Sequence, residues 1–315
     1  MPGVIASARA SRQNPWMPGS RRLTWCFVFG LAYVATLSAA EPPKVRGYAI
    51  IPLKNVGNAF VVDVAVNGKP MHLLLDTGAP VTVLLEEKAA EAGVVGAMAR
   101  GTRVIESMRC GAAELRGVNA LSMAFSGTHA GRARRHWAQA GRDGLLGLDT
   151  LRDWGAVIDM AAMRLYLRTD PKVTSNLGEK LRAAGWTEVP LQQQKGHINV
   201  DAEAGGQRGT LTVDTGATFT TLDRHFAVKA RLPLGGQRLP VATVGKLEVH
   251  SDATEVPDLV VGSFHGGPFP VTVANLDFAL GAPWKTDGLL GFEFLRLNAA
   301  VIDCAAARLY LRHTK

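Results

Sequence analysis

The phrase Leu74-Leu75-Asp76-Thr77-Gly78-Ala79 returns 138 residues later as Thr212-Val213-Asp214-Thr215-Gly216-Ala217. Each copy is an apolar strand running into Asp-Thr-Gly. A second phrase, Asp143-Gly144-Leu145-Leu146-Gly147, returns as Asp287-Gly288-Leu289-Leu290-Gly291, and the text after it repeats too. Ala156-Val157-Ile158-Asp159 through Arg164-Leu165-Tyr166-Leu167-Arg168 mirrors Ala300-Val301-Ile302-Asp303 through Arg308-Leu309-Tyr310-Leu311-Arg312. A repeat this long excludes a short-period solenoid and calls for two equivalent modules. They span 45–170 and 186–315, with 171–185 as connector. Two aspartates in matching modules can meet as a carboxylate pair that shares one proton and holds one water.

Composition permits this plan. The chain has 315 residues, 47% apolar and 20% charged, enough for two ordinary cores and far from a disordered composition. The formal charge of +8 falls to +4 without the first forty residues, which carry four arginines and no acid. That modest balance gives no reason to expect a nucleic-acid partner. The local run Arg132-Ala133-Arg134-Arg135-His136 reads as a solvated loop. At the N-terminus, Arg21-Arg22 precede an apolar run from Trp25 to Leu37, then Ser38-Ala39-Ala40 before Glu41. This reads as a signal peptide over 1–40 and an exported protein, periplasmic or secreted. If it is not cleaved, residues 21–40 are a membrane anchor. Cys110 and Cys304 read as buried free thiols. Without Cys-x-x-Cys or paired-His spacing, neither metal nor cofactor is expected.

Most segments are short, rich in Val, Ile, Leu and Thr, and punctuated by Gly, Pro, Asn and Asp. Val61–Val66 reaches Asn67-Gly68, a hairpin signal, and the returning strand delivers Asp76. In the second half, Gly205-Gly206 turns the chain toward Asp214. Helices are expected only at Glu86–Ala92, at Asn176–Ala184, and as single turns at Leu148–Leu151 and Phe292–Leu295. The fold class is therefore all-β: two β-barrel-like lobes related by a pseudo-twofold axis, with a few short helices.

With these motifs in place, the chain resembles the pepsin-like and retropepsin-like aspartic proteases over nearly the whole exported portion, in duplicate. The resemblance implies that Asp76 and Asp214 are the catalytic pair. It implies that Thr77 and Thr215 cross-link the two loops through the backbone, and that Gly78 and Gly216 allow the loops to approach. Leu145-Leu146-Gly147 and Leu289-Leu290-Gly291 match the segment that crosses beneath each loop. Ala79 and Ala217 stand where pepsins have Ser, which points to the retropepsin side and to a higher carboxylate pKa. Pro80, Thr218, Leu148 and Phe292 replace the charged pairs of the viral dimer interface. The expected flaps, 97–110 and 237–250, lack the pepsin-type tyrosine.

The implied function is an aspartic endopeptidase acting on peptide or unfolded protein as a monomer with an intramolecular active site. The alternatives are an exported peptide-binding or assembly module with a vestigial cleft, and an obligate dimer. His72, His197 and His225 read as structural or solvated, and Trp186 and Trp284 as packing residues. No Gly-x-Ser-x-Gly elbow supports a serine hydrolase.

Overall fold

A computed structural model describes residues 45–94, 102–125, 130–173, 176–235, 238–243, 246–276 and 286–314. The signal-peptide reading, its cleavage site and Trp284 lie outside them. Those residues are mostly strand, with a few short helices, in three sheets.

The first sheet comes from the first half. The hairpin Phe60–Val66 and Lys69–Leu75 turns at Asn67 and Gly68, whose φ of 47° and 80° suit a two-residue hairpin loop that follows the strand twist. Beyond it lie Gly144–Leu146, Thr82–Leu85, Ala113–Met123 and Thr102–Cys110. The last pairs back onto Phe60–Val66 through Ala65–Arg109 and Val66–Met108, which closes a six-stranded barrel. The second half repeats the hairpin as His197–Ala204 and Gln207–Val213, turning at Gly205 and Gly206 with φ of 57° and 78°. There His197–Ala204 pairs instead with Leu259–Val261, so the sheet stays open. The two lobes share a plan and differ in closure.

The third sheet draws on both halves in the order Tyr48–Pro52, Arg164–Arg168, Val157–Asp159, Val301–Asp303, Arg308–Leu311, Thr187–Pro190. At its centre Ile158 faces Ile302, with Val157 opposite Asp303 and Asp159 opposite Val301. The repeated Val-Ile-Asp segments therefore pair with each other about a local twofold. Both isoleucines are fully buried, so this seam is core rather than surface.

Local pattern explains the key strand. Leu73 and Leu75 point into the main core, while Leu74 points to the opposite face and packs with Ala59, Ala79, Leu85, Trp137 and Leu145. Both faces are covered, so the strand reads as an unbroken apolar run rather than an alternating one.

The helices at Glu86–Glu91, Leu148–Asp153, Leu177–Ala183 and Phe292–Leu297 lie where the sequence places them. Two others differ from expectation. Arg224–Lys229 is a helix capped by Asp223, whose carboxylate accepts the His225 N–H at 2.8 Å. The basic run, read as a solvated loop, lies on the helix Ala130–Gln139. The reason is Trp137, one residue beyond the run, which is buried over Leu74 and Leu145 and meets Phe125 edge to face. Arg134 on the exposed side pairs with Glu87. One apolar anchor and a charged outer face make this an amphipathic helix. No helix among the described residues is long and apolar enough to cross a membrane.

Candidate active site

Each Asp-Thr-Gly sits where a hairpin strand ends and a crossing strand passes beside it. Lys69–Leu75 pairs in parallel with Gly144–Leu146, and the Asp76 N–H donates to the Leu146 carbonyl at 3.1 Å. Gln207–Val213 pairs in parallel with Gly288–Leu290, and the Asp214 N–H donates to the Leu290 carbonyl at 3.0 Å. The chain then returns antiparallel on the other side of the same crossing strand, as Thr82–Leu85 or Thr221–Asp223. Leu-Leu-Gly is thus held between the two arms of the loop. At its end a side chain on Gly147 or Gly291 would collide with the backbone of Val81 or Phe219.

The structure brings the six site residues read from the sequence together. Thr77 Oγ1 donates to the Val213 carbonyl at 2.7 Å and accepts the Thr215 N–H at 3.1 Å. Thr215 Oγ1 donates to the Leu75 carbonyl at 2.8 Å and accepts the Thr77 N–H at 3.1 Å. Four buried bonds therefore tie the loops across the two halves. A methyl group on Gly78 would meet the Asp214 carboxylate at about 2.5 Å, and one on Gly216 would meet that of Asp76 as closely. Only glycine allows each loop to lie against the opposite aspartate.

Asp76 Oδ1 accepts the N–H groups of Gly78 and Ala79 at 2.9 and 3.0 Å. Asp214 Oδ1 accepts those of Gly216 and Ala217 at the same two distances. This orients both carboxyls and favours their ionised forms. Burial outweighs that: each residue is 7% exposed, and desolvation pushes both carboxyls above the ordinary range. Asp76 is raised further by the charge of Asp214 and by a hydrogen bond between the two side chains. The two titrate as a unit that holds its proton above the ordinary carboxyl range.

Further groups surround the pair that the sequence reading missed. Thr82 and Thr220, each six residues after an aspartate, accept the N–H groups of Gly147 and Gly291 at 3.1 and 3.0 Å. Asp149 and Glu293, each two residues after a Leu-Leu-Gly, accept the backbone N–H groups of those threonines at 3.0 and 2.5 Å. Burial raises both acids, Glu293 to about 7. Equal spacing in the two copies was the available signal. His197 takes the structural role its sequence reading gave it. Its ring hydrogen-bonds the Gly78 carbonyl from the other half, and burial lowers its pKa. Arg142 is half-buried within electrostatic reach of Asp76. His72 pairs with Asp63 on the surface at 2.7 Å, and His225 is exposed. Trp186 donates to the Ala299 carbonyl at 3.1 Å beneath the Arg312 guanidinium, a packing role. Cys110 and Cys304 are free and buried. Among the described residues, no group of three His, Cys, Asp or Glu could hold a metal ion.

Comparison with known proteins accounts for both loops separately. Residues 62–153 match the family described as gag-polyprotein putative aspartyl protease, and residues 200–294 match the family described as aspartyl protease. The chain is an aspartic protease by family, with one match in each half. This aspartic protease is similar to the aspartic proteinase from Irpex lacteus, at 17% identity and a TM-score of 0.49, covering 85% of this chain and 98% of that one. It is also similar to Basic 7S globulin from soybean, at 11% identity and a TM-score of 0.48, covering 85% and 95%. No curated protein matches it by sequence.

Proposed function

We propose that the chain is an aspartic endopeptidase in which Asp76 and Asp214 together activate a water against a peptide carbonyl. The observation that supports this most is the reciprocal threonine cross-link, which sets two buried carboxyls against each other. One is protonated and one ionised. The ionised carboxylate takes a proton from the water as its oxygen attacks the carbonyl carbon, while the other carboxyl donates to the carbonyl oxygen. The tetrahedral intermediate then breaks at its C–N bond as the carboxyl that took the water's proton passes it to the amine nitrogen, and the other carboxylate takes back a hydroxyl proton as the carbonyl re-forms. Positioned acid–base chemistry of this kind contributes roughly 10²–10⁴-fold. Orientation of the peptide between the two halves and exclusion of water contribute the rest. Peptide or unfolded protein is the substrate, and one chain forms the complete site. We further propose export by way of residues 1–40.

The test is incubation of the 41–315 chain with an unfolded protein across pH 3–8, beside Asp76→Ala, Asp76→Asn and Asp214→Asn, with fragments read by mass spectrometry. Wild type yields internal cleavages, most abundantly in mildly acidic buffer, and each variant loses at least about a hundredfold while staying folded. Folded single variants with full activity would move the catalytic centre elsewhere. A folded wild type that cuts nothing would leave a binding module.

A further inference from the structure

The two halves treat the outward face of their Asp-bearing strands differently. In the second half Ala217 and Leu289 keep the face apolar beside the dyad, but it then carries Thr212, whose hydroxyl donates to Asn199 at 2.8 Å. Beside it the Thr286 hydroxyl contacts the Gly288 and Thr210 carbonyls at 2.6 and 3.2 Å. These polar groups are satisfied within their own half. In the first half the face is apolar: Ala79, adjoining the Asp76 turn, then Leu74 and Leu145, then Ala59, with Trp137 over them and Met123 and Phe125 alongside.

Arg142 stands at the end of this apolar strip remote from the dyad, at the position matching Thr286. Its Nη2 donates to the Val56 carbonyl at 3.3 Å. Its Nε is shielded from solvent and has no partner. Among the described residues no carboxylate forms an ion pair with it, and the charge of Asp76 reaches it. A guanidinium offers five donors in a planar fork suited to a carboxylate, and leaving a half-buried one unpaired is costly. Among the described residues the fork has no carboxylate complement.

We propose that Arg142 determines specificity by taking a carboxylate of the substrate, so that the protease prefers peptides with Glu or Asp about two to four residues from the bond it cuts. The distance follows from the crossing strand. Leu146 holds the Asp76 backbone, and Arg142 lies four residues before it, about 13 Å along an extended chain, part of which the arginine side chain spans. An extended peptide running from the dyad toward Arg142 covers that distance within that number of residues. The inference rests on the peptidase reading above.

Peptides identical except for Glu, Gln or Lys at one of the four positions on either side of the cleaved bond test it, with kcat/KM measured for wild type, Arg142→Met, Arg142→Lys and Arg142→Glu. Wild type should favour Glu over Gln roughly ten- to a hundredfold at one position, as a charge-assisted bond does. That ratio should approach one in Arg142→Met, survive in part in Arg142→Lys, and give way to a preference for Lys in Arg142→Glu. Cleavage in which Glu and Gln differ less than about twofold at every position overturns the proposal and leaves the peptidase reading intact. So does a preference that Arg142→Met leaves unchanged. If no peptide is cut, the peptidase reading fails, and affinities of the Glu and Gln peptides for the Asp76→Asn chain decide the arginine's role. Equal affinities overturn it.

Discussion

Each hydroxyl of Thr77 and Thr215 donates to one carbonyl and accepts from one amide of the other half, all without solvent. Valine at position 77 keeps the shape and removes the hydroxyl, stranding the Val213 carbonyl and the Thr215 amide. Thr77→Val should lower unfolding free energy by about 3 kcal/mol, and Thr77→Ser should restore most of it. Urea titration at pH 6 checks this, and a Val variant as stable as wild type would show that water replaces the cross-link. At this scale the sequence was informative because Asp-Thr-Gly is short, local and present twice. Arg142, Asp149 and Glu293 were harder to see. A carboxylate two residues after a Leu-Leu-Gly reads as an ordinary surface acid until the returning strand brings a threonine amide against it. A lone arginine before Asp-Gly reads as solvated until Trp137 covers its neighbours.

The helix Ala130–Gln139 shows the same limit at the scale of an element. Read along the chain, its three arginines outweigh one tryptophan and the segment looks like an exposed loop. What makes it a helix is a surface contributed by residues before and after it, Leu74 and Leu145, which the tryptophan covers. Trp137→Ala should therefore cost about 3–5 kcal/mol, as for other buried aromatics. Loss of the helical signal in circular dichroism should accompany it, and a cost under about 1 kcal/mol would show that the helix stands without its anchor. The hairpins were legible for the opposite reason. Asn67-Gly68 and Gly205-Gly206 specify their turns through two or three neighbouring residues, whatever the rest of the fold does. Closure of one sheet and not the other was beyond the sequence pattern, because it depends on whether Thr102–Cys110 reaches a strand about forty residues earlier.

Across the whole molecule, among the described residues, the acids raised by burial outnumber the exposed acids lowered by ion pairs. Asp76, Asp149, Asp159, Asp214, Glu293 and Asp303 fall in the first group, and Asp63, Glu87 and Asp258 in the second. A carboxyl raised by folding binds its proton more tightly in the native state. Its contribution is complete below the unfolded value and is lost as pH climbs through the folded one. For Glu293 the window runs from 4.5 to about 7. The protein should be more stable at pH 5 than at pH 8, with Glu293 responsible for about 2–3 kcal/mol of the difference. Glu293→Gln keeps an oxygen for the Thr220 amide and should flatten the profile by that amount in urea titrations at the two pH values. An unchanged profile would place the titration in other acids.

The cross-link also sets an order of events in time. Thr77 and Thr215 are 138 residues apart, and the strand that holds Asp214 ends only at Leu290. Closing so long a loop is entropically costly until the sheets on either side exist. A ribosome that has released both Asp-Thr-Gly phrases has still not released Gly288–Leu290, nor the strand Val301–Asp303 that joins the halves at Ile158. The carboxyls therefore meet last, when almost the whole chain is folded and few of its own segments remain extended enough to be cut. On the peptidase reading, late assembly keeps the growing chain from meeting its own active site.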